Sequence, residues 1–318
     1  MPHGEHHRAR GTSPFRRRWH VSSVGAPALA HNAHAGLSLP ARRWLTYDGS
    51  VATAMRVSEL HIYPLKSARG IPLREMTLDP RGPSGDRRWM LIDERATMLS
   101  QRDLPRMALI NVENGGGELV CAAPGMPLLR VPIPLPGNRE RLSARVWDDE
   151  VDVQLAADSV HGWFTKFLGA PCRLVYQPDD AFRQVNRVYA AEGVGVSLAD
   201  GFPLLLIGQG SLDDLNRRLD APVEMRRFRP NLVVEGSEPF AEDTWRRIRA
   251  GEVEFILAKP CARCSIPTVN PDTGEFGREP MRTLATYRRR GHDVFFGWNI
   301  VAAAPGTLRI GDPVVVLE

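Results

Sequence analysis

Ala144-Arg-Val-Trp-Asp-Asp-Glu-Val-Asp-Val-Gln-Leu155 reads as two runs of alternating apolar and polar residues, Ala144–Trp147 and Val151–Leu155, separated by acidic residues of turn type. A two-residue period puts every second side chain on one face of an extended chain, the pattern of a half-buried strand rather than a helix. The same short unit, punctuated by Gly, Pro and Asp, recurs upstream around Leu60–Ile62, Met76–Leu78, Trp89–Ile92, Leu109–Val112 and Leu128–Val131. Many short strands between turn signals predict a β-barrel or sandwich.

A first helix follows. Val160, Trp163, Phe164, Phe167 and Leu168 fall on one helical face before Gly169, with Asp158 or Ser159 as the expected N-cap. Beyond it the pattern predicts a buried strand at Leu204–Ile207, a helix opened by Ser211 with Leu212, Leu215 and Leu219 on one face, and strands at Leu232–Val234, Val253–Leu257, Leu308–Ile310 and Val314–Leu317. The expected fold class is therefore mostly β with a few helices, β-barrel-type, in two β-rich domains over residues 55–170 and 171–318.

Residues 1–54 differ in composition. They hold six of the nine histidines, seven Arg, no Lys, and only Glu5 and Asp48 as acids. The extension thus carries +5, and since the whole chain carries +4 the remainder is −1. A nearly neutral body argues against a nucleic-acid partner, which needs cations concentrated on a folded face. The extension lacks any strand or helix period and is expected to be disordered. It reads as a transit or twin-arginine-type signal around Phe15-Arg-Arg-Arg-Trp19, as a tag-like addition, or as residues preceding a true start at Met55; the last is favoured because Ser, Gly and Pro interrupt the apolar stretch a signal would need.

Four cysteines, Cys121, Cys172, Cys261 and Cys264, are too few to staple 318 residues, so a reducing, cytoplasmic setting is expected. No apolar run approaches the roughly 18–20 residues of a membrane span.

Five segments carry residues suited to chemistry. The Cys261-Ala-Arg-Cys264 pair follows the strand at Val253–Leu257. Taken alone it fits a structural zinc site, a redox dithiol, two packed thiols, or one thiolate ligand to a soft metal, with Lys259 and Arg263 as cations nearby. Zinc lacks a second ligand pair, and Pro267 disfavours the helix a thioredoxin-like dithiol should open. Tyr63-Pro-Leu-Lys-Ser67, Gly85-Asp-Arg-Arg-Trp89 and Phe228-Arg-Pro-Asn231 supply Lys66, Ser67, Arg87 and Arg229, which together would make an anion cradle. Ala199-Asp-Gly-Phe-Pro203 is a turn that presents Asp200 at the mouth of a strand. None of these is a Walker or dinucleotide-binding glycine loop.

These segments, in this order, resemble the MOSC family, over a span from about Val57 to the closing Gly311-Asp-Pro313 strand. Within it the chain looks most like the amidoxime-reducing and N-hydroxyl-reductase branch. The resemblance implies a molybdenum cofactor (Mo-molybdopterin) whose metal is held by Cys264. Lys66, Ser67, Arg87, Arg229, Asn231, Ala262 and Arg263 match cofactor-holding positions, and Asp200 matches an acid close to the metal that relays protons or orients an oxygen. Gly201-Phe202 departs from the Thr-Ser of the mitochondrial branch, which removes two hydroxyl contacts. The implied activity is an oxidoreductase reducing a small N-hydroxylated or N-oxide substrate. Electrons are expected from separate partners, a ferredoxin or haem protein with a flavin reductase. The alternative is a cofactor or sulfane-sulfur carrier without reductase activity.

Intact-mass analysis of the native protein is expected to give an N-terminus at Met55; any peptide mapping to residues 1–54 would sink the late-start reading.

Overall fold

A computed structural model of the chain describes residues 54–135 and 140–318. The expectation of disorder for the N-terminal extension lies outside the described residues. The described chain is predominantly strand, with three α-helices: α1 (Asp158–Leu168), α2 (Gln209–Asn216) and α3 (Met281–Tyr287).

The largest sheet has nine strands. Along its path lie Val314–Val316, Arg247–Ala250, Val253–Ala262, Asp293–Ala302, Leu204–Gly208, Leu232–Glu235, Arg56–Ile62 and Ile71–Leu73, with Arg289–Arg290 pairing at its side. Every neighbouring pair is antiparallel except Leu204–Gly208 beside Leu232–Glu235, whose parallel pairing uses α2 in its crossover. The first strand of the chain is thus built into a sheet supplied mostly by the second half. Its apolar side chains Val57, Leu60 and Ile62 join Leu204, Leu206, Leu232, Val234, Phe255 and Ile300 in one buried cluster. Glu75–Asp79 makes a second tie, pairing with Gly306–Arg309 near the chain's end.

The four-stranded sheet runs Trp89–Ile92, Arg173–Tyr176, Asp149–Leu155 and Arg141–Val146. Its last two strands are the alternating runs around Asp148, joined by a two-residue turn. Asn111–Asn114, Glu118–Ala122 and Leu129–Pro132 form a further meander. Helix α1 closes over these strands through the five apolar residues expected from its period, Val160, Trp163, Phe164, Phe167 and Leu168, all buried.

Several details differ from the sequence reading. The residue flanking α1 is Ala157, with no side-chain cap, and Asp158 lies in the first turn, where its charge still complements the helix dipole. The stretch at Leu109 closes a 3-10 turn, Pro105–Leu109, and the strand begins at Asn111. Ser211 does not open α2. It lies inside the helix, where its hydroxyl donates to the buried Glu242 at 2.7 Å and accepts Phe240 N–H at 2.8 Å. Leu219 falls beyond the end of α2 yet packs against the same cluster.

Glu242 is 1% exposed, and burial raises its pKa above the usual 4.5, with the Ser211 hydroxyl opposing. Its Oε1 accepts Gly208 N–H and Ser211 Oγ–H, while Oε2 has no partner. A carboxyl whose folded pKa is raised favours the fold at low pH and loses that contribution as pH climbs through the folded value. Glu242→Gln, which keeps the accepting oxygen and never ionises, should therefore match or exceed the wild-type melting temperature at pH 8, with the gap closing towards pH 4.5. A lower melting temperature at pH 8 would contradict this account.

Candidate functional site

Strand register explains why distant segments meet. Leu60 pairs with Leu232, which also pairs with Leu206. The segment leaving the strand Arg56–Ile62 therefore emerges beside the segments entering the strands at Leu204 and Leu232. Tyr63–Ser67, Ala199–Pro203 and Phe228–Asn231 become neighbours, and the far end of Val253–Ala262 brings Cys264 to the same cleft.

Tyr63 organises the basic wall. Its buried ring meets two guanidiniums, with Arg87 Cζ and Arg229 Cζ each 4.2 Å from the ring centroid. Both cations are attracted by the ring's quadrupole. Burial pushes the Tyr63 phenol up to about 12, against the pull of Arg229 and Arg87, so it stays protonated and donates to Pro230 O at 2.9 Å. A Cβ at position 70 would sit 2.5 Å from the Tyr63 ring, so the close pass of the chain there needs Gly70.

Asp86 lies beneath this wall, 1% exposed. It accepts from Tyr63 N at 2.7 Å, Arg87 NH1 at 2.6 Å and Asn231 Nδ2 at 3.3 Å. Burial raises its pKa, with Arg87 opposing, but every one of these partners is a donor, so the carboxylate is the form the site holds. The Asn231 amide is committed to the protein. Its Oδ1 accepts from Arg87 NH1 at 3.0 Å and Leu205 N at 3.2 Å, and its Nδ2 also donates to His61 O at 3.0 Å. Arg229 uses NH1 on Ala68 O at 2.6 Å; burial lowers its pKa to about 10, which leaves it a cation at neutral pH.

Opposite this wall, Lys66 is buried and donates to Leu198 O at 2.8 Å and to Asp200 Oδ1 at 2.5 Å. Burial lowers the Lys66 pKa, with Asp200 opposing. Burial would raise Asp200, but the Lys66 ammonium outweighs it, with Arg102 adding to the effect, and the carboxyl is held well below its usual range. Its side chain is 54% exposed because it faces the open cleft. A carboxylate so held accepts and orients, and of the two roles expected for Asp200 the geometry suits orientation rather than proton delivery. The segment bearing it is fixed by Arg183, which donates to Ser197 O at 3.2 Å, Ala199 O at 2.6 Å and Asp200 O at 2.9 Å, and by Ser197 Oγ–H on Asp86 O at 2.7 Å. Ser67 is pinned by Gln101, whose Nε2 donates to Ser67 O at 2.7 Å.

The two cysteines of the pair have separate environments, and all four cysteines are free thiols. Cys261 packs against a buried cluster that includes Leu205, Phe228 and Phe296, and its sulfur accepts from Arg263 NH1 at 3.2 Å. Cys264 is exposed to the cleft, and its sulfur accepts from Arg102 NH1 at 3.5 Å. The cation at the Cys264 thiol is therefore Arg102, not the Lys259 or Arg263 that the sequence suggested. Lys259 instead lies over the Tyr189 ring, 5.3 Å from its centroid.

One cavity of about 150 Å³ is lined by all nine residues singled out from the sequence, Lys66, Ser67, Arg87, Asp200, Arg229, Asn231, Ala262, Arg263 and Cys264. Ser100, Arg102, Phe202, Ile266 and Asn299 line it too. Of these, Arg102 stands in a polar stretch, Ser100-Gln-Arg-Asp103, that carries no pattern to single it out. A second cavity of about 330 Å³ shares Arg229 and Ile266 with the first. Among the described residues, no three His, Cys, Asp or Glu side chains gather to hold a metal ion by themselves. A metal at Cys264 would need an organic group for its other ligands. Arg102, Arg229 and Arg263, whose hydrogen bonds go to carbonyls or sulfur, suit an anionic one. The donor set fits a phosphate-bearing cofactor with a soft metal end.

The family model of the MOSC N-terminal beta barrel domain matches residues 54–171, and that of the MOSC domain matches residues 194–315. The chain is 33% identical to mitochondrial amidoxime-reducing component 1 of Homo sapiens, over 93% of this chain and 92% of that protein. Against mitochondrial amidoxime reducing component 2 of Rattus norvegicus it is 35% identical, over 81% of this chain and 82% of that protein. Component 1 of Danio rerio is also 35% identical, over 81% and 83%.

Removing the buried anion should cost far more than removing the open one. Asp86→Ala strands Arg87 without its carboxylate and is expected to lower unfolding stability by about 3–5 kcal/mol, whereas Asp200→Ala, which removes a half-exposed carboxylate and leaves the buried Lys66 still donating to Leu198 O, should cost less. Denaturant melts of the two variants check the order; equal losses would contradict the role given to Asp86.

Proposed function

The chain belongs to the MOSC-domain family, and from that premise we propose that it is a molybdenum-cofactor-dependent oxidoreductase that reduces N-hydroxylated compounds such as amidoximes. The observation that carries the reading is the exposed Cys264 thiol, a soft donor beside a wall of cations where, among the described residues, no three His, Cys, Asp or Glu side chains gather to hold a metal. Amidoxime reduction by the named relatives supports it, as does the gathering of every expected cofactor-holding residue on one cavity.

An amidoxime takes up two electrons and two protons, loses its N–O bond, and yields an amidine and a water. The bound cofactor supplies the two-electron chemistry. The protein supplies the site. Cys264 would ligate the metal, while Lys66, Arg87 and Arg229 would neutralise the cofactor's anionic end in a largely buried setting. Asn231 and Asp86 would hold Arg87 in place rather than touch the cofactor themselves. Asp200 would orient the substrate's hydroxyl by accepting from it. Lys66, bonded to Asp200 and with its hold on the proton weakened by burial, would release one toward the departing oxygen. Phe202 and Ile266 give the cavity apolar surface for the substrate's carbon frame. Electrons would come from separate partners, a ferredoxin or haem protein with its flavin reductase.

Protein produced with molybdate should contain molybdenum and reduce benzamidoxime with a chemical electron donor. Cys264→Ala is expected to abolish the reduction, and Cys261→Ala to leave much of it. Equal loss in both would favour a dithiol or zinc site, and bound molybdopterin with no reduction of any N–O compound would favour a carrier.

A further inference from the structure

Trp147 is an anomaly to which the proposed reaction gives no role of its own, although its side chain also hydrogen-bonds Asp200. It is the first residue of the two-residue turn between Arg141–Val146 and Asp149–Leu155, with φ of 57°. Glycine is favoured at such a position, and a bulky side chain there strains the backbone. The indole is nonetheless half exposed, so burial of its ring does not explain its presence.

The ring does have a partner. Arg102 Cζ lies 4.5 Å from its centroid, and the same guanidinium reaches Cys264 Sγ through NH1 at 3.5 Å. The backbone of Arg102 is fixed as well. Ser100 Oγ–H and Ser100 N–H donate to Asp103 Oδ2, Arg102 N–H donates to Ser100 Oγ, and Leu104 N–H donates to Ser100 O. The segment before it ties this turn to the hairpin, with Met98 N–H on Arg145 O and Arg145 N–H on Ala96 O. A long, only partly buried arginine would otherwise sample many rotamers. Stacking on a fixed indole restricts it to the one that meets the sulfur.

We propose that Arg102 is a positioning residue at the metal end of the site, held by Trp147 so that its guanidinium donates to the Cys264 sulfur and raises the reduction potential of a metal bound there. The proposal rests on the reading of Cys264 as metal ligand given above. A cationic donor on a ligand sulfur draws electron density from the metal–sulfur bond and so favours the electron-rich, reduced metal. Lys66, Arg87 and Arg229 are committed to other contacts, and Arg263 serves the Cys261 sulfur, so Arg102 is the cation in hydrogen-bonding contact with the Cys264 sulfur among the described residues.

The test is a redox titration of the molybdenum-loaded protein, followed by Mo(V) electron paramagnetic resonance, with metal content measured on each sample. Arg102→Gln should retain molybdenum and show a lower midpoint potential, and Arg102→Lys should fall between it and wild type. Trp147→Gly removes the ring while suiting the backbone, so it should melt no earlier than wild type yet also lower the potential. The double variant should go no lower than Arg102→Gln, because Trp147 acts through Arg102. An unchanged potential in Arg102→Gln would overturn the proposal. So would loss of molybdenum confined to the Arg102 variants, which would make Arg102 a cofactor-holding contact instead. Wild-type protein that takes up no molybdenum would remove the metal-ligand reading and this inference with it.

Discussion

The buried Asp86 carboxylate is the interaction on which the cleft depends. Two guanidiniums pack on one phenol ring, and like charges brought together away from water repel strongly unless an anion lies within reach. Asp86 is that anion for Arg87, and it also holds Tyr63 N–H and Asn231 Nδ2, so one carboxylate fixes the ring, the cation and the brace together. Its backbone carbonyl accepts Ser197 Oγ–H, which extends the same anchor to the segment carrying Asp200. The basic wall and the acidic wall are therefore not independent. Each is placed by the other's support.

Such a site has a conformational cost, visible in the backbone. Ser67, Arg87 and Arg229 all have positive φ, at 69°, 44° and 59°, where residues with a Cβ are uncommon. Each departure costs on the order of 1–3 kcal/mol and persists only where the surroundings over-determine it. Here they do. Gln101 holds Ser67, Tyr63 O and Leu198 N hold Arg87 through its main chain, and Ala68 O receives the Arg229 fork. Concentrating strain in a network of buried hydrogen bonds keeps the cations aimed into the cleft before any ligand arrives, which is the preorganisation an anion site needs.

How much of this was legible in the sequence follows from what each feature leaves behind. Alternation marked the strands of Arg141–Val146 and Asp149–Leu155, because one face of each is buried and the other wet. It missed Asp293–Ala302, a ten-residue strand at the middle of the large sheet, because that strand carries Gly297, Asn299 and Trp298 among its apolar residues and shows no clean period. The nine candidate residues were found through local motifs. Arg102 and Arg183 were not, since each acts through contacts to segments far away in sequence and sits in an ordinary polar stretch. Asn231 was found, but its part as a brace rather than a free contact appears only when both ends of its amide are traced to their partners.

The division of labour between the two cysteines is likewise a matter of sheet geometry rather than spacing. A regular strand would continue its two-residue alternation through Val253–Ala262, but the pairing with Asp293–Ala302 shifts register between Leu257 and Lys259 and again between Pro260 and Ala262. Such irregularities re-aim the side chains that follow them. Cys261 falls within the second shift and packs onto the apolar cluster, and the chain leaves the sheet after Ala262. Cys264 is then free of any pairing partner's constraint and opens to the cleft. The irregular end of one strand, not the Cys-x-x-Cys spacing, separates a partly packed thiol at the cavity's edge from one that is fully open to it.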